Sequence, residues 1–406
     1  MLVLVINSGS SSLKFQLREP GLPEPLCRGV IERIGLPEGR FLYEPRGGER
    51  LESSAPFPDH RAAIARLLEA ITIRDTGVIA SVEALSAVGH RVVHGGEKLF
   101  QSMIITPEVE ALIDEAGRLA PLHNPAHLLG IRAVHSLLPV VPQVAVFDTA
   151  FHATMAEEAF VYALPYEFYE RHGIRRFGFH GTSHRYVALR AAELVGKPYR
   201  NLNCITCHLG NGVSITAVRG GRSVDTSLGF GTICGVPMGT RSGDVDPAVV
   251  LYLIDELGQS STEVARLLYR ESGLRGLSGV TSDMRDVTEA AQAGSRRAEL
   301  ALRVFSRAAR KYIAALATCL EDRLDALVFT AGIGEHSPVV RERICSGLGI
   351  LGVTLDHDKN LEARGECLIS APESRVAVLV VPTDEEMMIA RETQELITAA
   401  ESMTAR

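Results

Sequence analysis

The chain has 406 residues, 46% of them hydrophobic and 5% aromatic, with no Trp. That length exceeds what a single hydrophobic core usually organises, so two domains are expected. A formal net charge of −7 argues against a nucleic-acid-binding surface, no apolar run has the length of a membrane span, and seven scattered Cys without a disulfide framework fit a reducing cytoplasm.

The first predicted element is a hairpin, Val3 to Leu17, reading VLVINSGSSSLKFQL. Its apolar start lacks the basic flank of a signal peptide and reads as a strand. After the turn, Leu13, Phe15 and Leu17 alternate with Lys14 and Gln16, the period of a half-buried strand. The turn offers backbone N–H groups and Ser hydroxyls to a phosphate. It is not a Walker A loop, because SSSLK follows Gly9 and Lys14 stands on a strand. Short strands with Gly/Pro turns are expected up to Glu52, then an amphipathic helix from Asp59 to Ile71. A strand from Ser86 to Val93 ends at His94-Gly95-Gly96, and a helix runs from Pro107 to Leu119. The strand Val141 to Phe147 delivers Asp148 at its C-terminal end, where α/β sites are built.

A second hairpin, CITCHLGNGVSITAV from Cys204 to Val218, repeats the first, within strands that run from Asn203 to Ser227. Two such turns point to two similar halves facing one nucleotide, and so to phosphoryl transfer. Cys204 and Cys207 belong to a buried strand with no second pair downstream, which makes them core thiols rather than a zinc or redox site. Helices follow at Pro247–Leu257, Ser261–Ser272 and Ala298–Arg323. The strand Ala326–Thr330 then enters a third loop, Gly332-Ile333-Gly334, ahead of a helix from Pro338, a setting suited to a nucleotide's sugar and α-phosphate. A last strand, Val376 to Val381, leads through Pro382-Thr383-Asp384-Glu385-Glu386 into a closing helix. The pattern is a duplicated α/β architecture. Residues 1–150, closed by helix 386–406, are expected to form an acceptor and phosphate domain, and 151–385 a nucleotide-binding domain.

The strings NSGSSSLK, GHRVVHGG, VFDTAFH, FGFHGTSHRYV, HLGNG, MGTRSGDVDP, AGIGEHS and PTDEE occur in this order over nearly the whole chain. Together they resemble the acetate kinase family. The resemblance implies the ribonuclease H-like fold of the sugar kinase/heat-shock ATPase/actin superfamily, with a nucleotide cleft between domains, and a cytoplasmic homodimer. It also implies reversible transfer of the ATP γ-phosphoryl group to acetate, giving acetyl phosphate and ADP, with Mg²⁺ or alternatively Mn²⁺. The matching motifs put Arg91, Asp148, His180 and Arg241 at the catalytic centre, and Val93, Leu122 and Thr232 around the acyl methyl group. They put Asn7 and Glu385 at the metal, with the adjoining Glu386 as the alternative ligand. Nucleotide contacts fall to Lys14, to His208, Leu209, Gly210, Asn211 and Gly212, to Asp283, Met284 and Arg285, and to Gly332, Ile333, Gly334, Glu335 and His336. Two positions depart from the family's habit: Thr232 stands where Pro is common, and His336 where Asn is frequent.

The chemistry explains why such residues are needed. An acceptor carboxylate and a γ-phosphate are both anionic, so cations must neutralise them without being consumed. Arg91 and Arg241 sit among Gly, small and apolar residues, an odd setting for surface charges, and a guanidinium binds either anion bidentately. A hydroxyl kinase needs an Asp to take the acceptor's proton, but a carboxylic acid of pKa about 4–5 is already ionised near neutrality. Asp148 is therefore expected to orient Arg91 or a metal-bound water. His180 and His184 have a spacing that would suit a metal pair, yet no Glu follows His180 as in a zincin, and Gly181 argues against a settled helix there. His94, His123 and His127 read as core or turn residues.

Three other readings stay open. A propionate kinase differs by one methylene, worth only about 1–3 kcal/mol of discrimination. An actin- or heat-shock-type ATPase clamp would leave the two arginines without a purpose. A sugar kinase would need a polar pocket where Val93 and Leu122 are apolar.

Overall fold

The protein is described by a computed structural model covering residues 1–321 and 323–404. Residue 322 of the expected helix Ala298–Arg323, and residues 405–406 of the expected closing helix, lie outside the described residues. The chain forms two compact units, one of Met1–Phe151 together with the segment from Asp384 onward, the other of His152–Thr383.

In the first unit, β1 (Val3–Ser8) and β2 (Ser12–Arg18) make the expected hairpin, paired from Val3–Arg18 to Ser8–Leu13. The meander continues antiparallel through β3 (Cys27–Glu32), β4 (Gly39–Pro45) and β5 (Leu51–Ala55). On the other side of β1 lie β6 (Ala87–Val92), the two-residue β7 (Met103–Ile104) and β8 (Gln143–Phe147). Here β6 runs parallel to both β1 and β8, while β7 closes the edge antiparallel to β8. The alternation in β2 does what its period predicts: Leu13, Phe15 and Leu17 are buried while Lys14 is exposed. On that face Phe15 packs with Phe41 and Tyr43 at ring separations of 6.4 and 6.5 Å. Helix His60–Thr72 adds Ala63, Ile64 and Leu67 to the same core, its first turn capped by Asp59, which accepts from the Ala62 N–H. The opposite face carries Val3 and Val5 against Ile389 and Ile397 of helix Glu385–Thr404.

Helix Asn124–Leu137 is absent from the elements expected above. Its Pro125 and Gly130 look like breakers, but Pro125 occupies the first turn, where no intrahelical N–H is needed. Gly130 is there for proximity: a Cβ would stand 2.1 Å from the Ser8 hydroxyl, so only Gly lets the helix lie this close to the end of β1.

The second unit repeats the plan. Its strands are β9 (Asn203–Leu209), β10 (Val213–Arg219), β11 (Arg222–Thr226), β12 (Ala326–Thr330), β13 (Cys367–Leu368) and β14 (Ala377–Val380). The sheet order β11-β10-β9-β12-β14-β13 matches β3-β2-β1-β6-β8-β7 strand for strand, with the same antiparallel and parallel pairings. The duplication read from two hairpins is thus a duplication of six strands. Cys204 and Cys207 are buried on β9, and burial raises both thiol pKa values.

Four expectations need correction. Gly181 does not prevent a helix; it opens Gly181–Leu194, because the glycine penalty applies to helix interiors and not to the first position. Gly332-Ile333-Gly334 is no loop but part of the short helix Ala331–His336. Its sharp entry is made by Ala331, at φ 62°. The helix expected at Ser261–Ser272 is Ser261–Arg266 followed by a wider π turn, Leu267–Glu271. The helix expected to reach Leu119 is Pro107–Ala116, with Gly117 at its cap. Among the described residues no helix is long and apolar enough to cross a membrane.

Candidate active site

In the first unit, β6 and β8 end side by side, which brings Arg91 to Asp148. The guanidinium donates from Nε to Oδ1 at 3.0 Å and from Nη2 to Oδ2 at 2.7 Å, while the Asp148 N–H donates to the Val92 carbonyl at 2.9 Å. Asp148 is 2% exposed, so its carboxylate is committed to this pair. The start of helix Glu385–Thr404 adds Glu385, whose Oε2 lies 3.4 Å from Arg91 Nη1. Burial works against the Arg91 charge, yet the fields of Asp148 and Glu385 outweigh it and hold its pKa above the ordinary arginine value.

Carboxylates crowd this corner. Asp384 is taken by Arg18 through contacts of 2.8 and 2.7 Å. Glu385 and Glu386 both have pKa values raised, first by burial; Asp148 adds to this at Glu385, and Glu385 at Glu386. Asn7, Glu385 and Glu386 carry oxygen donors of the kind a hard divalent cation would take, and such a cation would relieve that crowding. Asn7 sits on β1 directly across from Lys14. Lys14 and Glu386 line one cavity of about 240 Å³ with Phe15, Gln16 and Arg28. Among the described residues no group of three His, Cys, Asp or Glu is arranged around a single ion position, so a cation here would complete its shell from amide, water and substrate oxygens. The residues present fit a magnesium ion held through few protein contacts.

The turn of the first hairpin is held from its base. Gly9 donates from its N–H to the Ser12 carbonyl at 2.7 Å, and its own carbonyl is bonded to His60 Nε2 at 2.8 Å. Ser10 and Ser11 are exposed at the tip. Val93 is half-buried after β6, and Leu122 is 66% exposed. His94 and Asn124 exchange backbone–amide hydrogen bonds, and His127 is buried on helix Asn124–Leu137, so these two histidines are core residues as expected.

In the second unit, His180 ends its segment at φ 58° just ahead of helix Gly181–Leu194. Its Nδ1 is bonded to Ser214 Oγ at 2.8 Å, and that hydroxyl also bonds His184 Nε2 at 2.7 Å. The other nitrogen of His184 is held by Thr206 Oγ1 at 2.7 Å. Both His184 nitrogens are thus engaged, which makes it a buried support for His180. His208 stacks on His180 at 4.2 Å and bonds Ser183 Oγ at 2.8 Å.

The second turn meets this cluster. A Cβ on Gly212 would lie 3.3 Å from His180 Nε2 and 3.6 Å from Arg241 Nη1, so the turn, the imidazole and the guanidinium converge. Arg241 is half-buried. Its fixed contacts are the Thr232 carbonyl at 3.2 Å and the Met238 thioether at 3.5 Å, and among the described residues no carboxylate pairs with it. Burial accordingly lowers its pKa. Thr232, expected at the acyl group, holds Arg241 through its backbone carbonyl.

Beside the turn opens a cavity of about 780 Å³. Gly210 and Asn211, the segment Asp283-Met284-Arg285, and Gly332, Ile333 and His336 all line it. Three stretches distant in sequence therefore meet in one place. Asp283 caps helix Met284–Gln292 through the Arg285 N–H at 2.8 Å and pairs with the Arg285 side chain at 2.7 Å, which lowers its pKa. Leu209 and Gly334 are buried and do not line this cavity. Missed from the sequence were Thr288 and Glu289, one turn along that helix, and Ser337, Pro338 and Val339, which follow the third glycine segment into the next helix. Arg341 was also missed: it is 1% exposed and donates to the Gly334 and Glu335 carbonyls at 2.9 and 2.8 Å, fixing the end of helix Ala331–His336.

The model of the Acetokinase family matches residues 2–391. An acetate kinase of Thermotoga maritima is 52% identical over 400 residues, 98% of this chain and 99% of its own length. The crystal structure of Porphyromonas gingivalis acetate kinase superposes with a TM-score of 0.92 at 45% identity, covering 98% of this chain and 99% of that one. A propionate kinase from Francisella tularensis subsp. tularensis SCHU S4 gives a TM-score of 0.90 at 41% identity, over 97% of this chain and 99% of that one.

Proposed function

The chain belongs to the acetokinase family, and we propose that it is a Mg²⁺-dependent acetate kinase, moving the γ-phosphoryl group of ATP to acetate and back by direct in-line transfer. The observation that carries this reading is Arg241: a half-buried guanidinium with no carboxylate partner among the described residues, beside a glycine turn and a cavity of about 780 Å³, is arranged to receive an anion.

The forward step forms a bond between an acetate oxygen and the γ-phosphorus and breaks the bond from that phosphorus to the β–γ bridging oxygen, so ADP leaves. No proton moves, since the acceptor is already ionised. Arg91, locked by Asp148, presents its remaining N–H donors to the acceptor carboxylate, and Asp148 acts as its orienter. Arg241 and His180 donate to the equatorial oxygens of the transferring group, where charge is spread in the transition state. Lys14 and the turn of Gly210, Asn211 and Gly212 hold the leaving diphosphate, with His208 supporting His180. The adenosine lies along Asp283, Met284 and Arg285 and against Gly332, Ile333 and His336. Asn7 and Glu385, with Glu386 adjoining, would hold the magnesium ion, which would supply neutralisation of the phosphate charge. Val93, Leu122 and Thr232 limit the acyl chain.

The protein is further proposed to act in the cytoplasm as a homodimer. Helix Pro247–Asp255 has no buried residue and exposes Leu251 and Tyr252 by 60% and 57%, an apolar face suited to a second copy. The function is tested by ADP release from Mg-ATP with acetate, propionate, butyrate or glucose as acceptor. Acetate is expected to give the highest specificity constant with propionate second. A glucose-driven rate, or ADP release indifferent to any acceptor, would replace the reading with a sugar kinase or an ATPase clamp.

A further inference from the structure

Away from these residues, helices Arg296–Ala317 and Pro338–Cys345 enclose a groove of about 520 Å³. Its lining holds the guanidinium groups of Arg303, Arg307, Arg310 and Arg343 and not one carboxylate, on a chain whose net charge is −7. Their charge is poorly compensated. Arg343 is paired with Glu299 through two contacts of 2.9 Å, and the same Glu299 is the nearest carboxylate to Arg303, at 3.9 Å. Arg310 is spent on neutral acceptors, the Ile344 carbonyl at 3.3 Å and Ser346 Oγ at 3.2 Å, and Arg307 is exposed with no ion pair among the described residues. Ser306 supplies a second and independent sign of a ligand. It lies in the same lining, is 3% exposed, and its hydroxyl has no hydrogen-bond partner. A buried hydroxyl left unpaired costs free energy unless something in the groove meets it. Leu300 and Val304 provide a short apolar strip alongside.

We propose that this groove binds a small organic anion carrying two or more negative charges, a phosphate monoester or a polycarboxylate, as an effector. Arg303 and Arg307 bind the charged groups, Ser306 donates to one of their oxygens, and the aliphatic portion rests on Leu300 and Val304. The route to the rest of the unit is short. Helix Pro338–Cys345 contributes Arg343 to this groove, while Pro338 and Val339 at its other end line the cavity assigned above to adenosine. Arg341 in the same helix fixes helix Ala331–His336. Occupation of the groove therefore bears on nucleotide affinity, a coupling that rests on the reading of the cavity as a nucleotide site.

The experiment is calorimetric titration with citrate and with 3-phosphoglycerate, glycerol serving as the uncharged control, on protein saturated with Mg-ADP so that other phosphate subsites are filled. One-to-one binding of at least one anion is expected, and which anion binds identifies the carboxylate or phosphate source. Arg307→Glu, at an exposed position, should weaken it at least about tenfold, and Ser306→Ala should weaken it less, with acetate-dependent turnover unchanged in both. The dissociation constant of Mg-ADP should shift by about threefold or more when the anion is present. No saturable binding up to about 10 mM, or equal affinity in Arg307→Glu, overturns the site. Binding that leaves Mg-ADP affinity untouched overturns the coupling. If Mg-ADP does not bind at all while the anion does, the nucleotide reading fails and the groove stands.

Discussion

Arg241→Ala removes a guanidinium whose fixed partners are a carbonyl at 3.2 Å and a thioether at 3.5 Å. No carboxylate among the described residues is left unpaired by the change. The hydrogen bond lost, about 1.5–3 kcal/mol for a charged donor, is offset by no longer burying an uncompensated charge. Stability should therefore change by no more than about 1 kcal/mol. Turnover should suffer far more, because a donor aimed at the transferring phosphoryl group is worth about 3–4 kcal/mol, or 10²–10³ in rate. Arg91→Ala provides the contrast. It strands Asp148, 2% exposed, together with Glu385, and breaking such a buried pair costs about 3–5 kcal/mol of stability. The assay is paired: urea denaturation for stability and acetate-dependent ADP release for turnover, on both variants. Arg241→Ala with turnover within threefold of wild type would refute the assignment of Arg241 to the reacting phosphoryl group, and a loss of stability equal to that of Arg91→Ala would refute the account of its unpaired charge.

Asp148→Asn keeps the shape of the side chain but loses its charge, so it should lower turnover without introducing an acceptor-dependent basic limb in the pH–rate profile; a rate proportional to hydroxide would restore the role of base. His90, His94 and His127 have pKa values lowered by burial from 6.5 to about 4. Between those values the unfolded chain binds more protons, so the first unit's stability is complete above pH 6.5 and falls toward pH 4, by on the order of 2–3 kcal/mol per histidine. His127→Leu should flatten the pH dependence of the urea midpoint, and an unchanged slope would contradict the assignment. Thr232→Pro should raise the ratio of acetate to propionate specificity constants a few-fold by stiffening the backbone that holds Arg241, whereas a ratio moving toward butyrate would count against an acyl-limiting role.

Much of this architecture is legible in the residues because strands announce themselves by period. Leu13, Phe15 and Leu17 alternate cleanly, and the two glycine turns sit between matched strands, so the duplication is visible before any coordinates. Helices whose glycines serve a neighbour are harder to read. Gly130 looks like a breaker until the Ser8 hydroxyl is found where its Cβ would be, and Gly181, Gly332 and Gly334 mislead for related reasons of position. The motif strings name Arg91, Asp148, His180 and Arg241, and the ionised acceptor argues for Asp148 as an orienter, which its two-point hydrogen bonding to Arg91 supports. What no local pattern reveals is the network between distant segments. The Ser214 hydroxyl bridging His180 and His184, the Arg18–Asp384 pair and the carbonyls gathered by Arg341 depend on how strands and helices come together, not on neighbours in the chain.

The central claim is that an acetate oxygen forms its bond to the phosphorus of the transferred γ-phosphoryl group. Phosphorus NMR of the wild-type protein with Mg-ATP and acetate labelled with ¹⁸O in both oxygens follows that bond itself. The expected product is acetyl phosphate whose phosphorus signal carries the isotope shift of one bridging ¹⁸O, appearing together with ADP. Inorganic phosphate as the sole new signal, or acetyl phosphate without the shift, would contradict the mechanism.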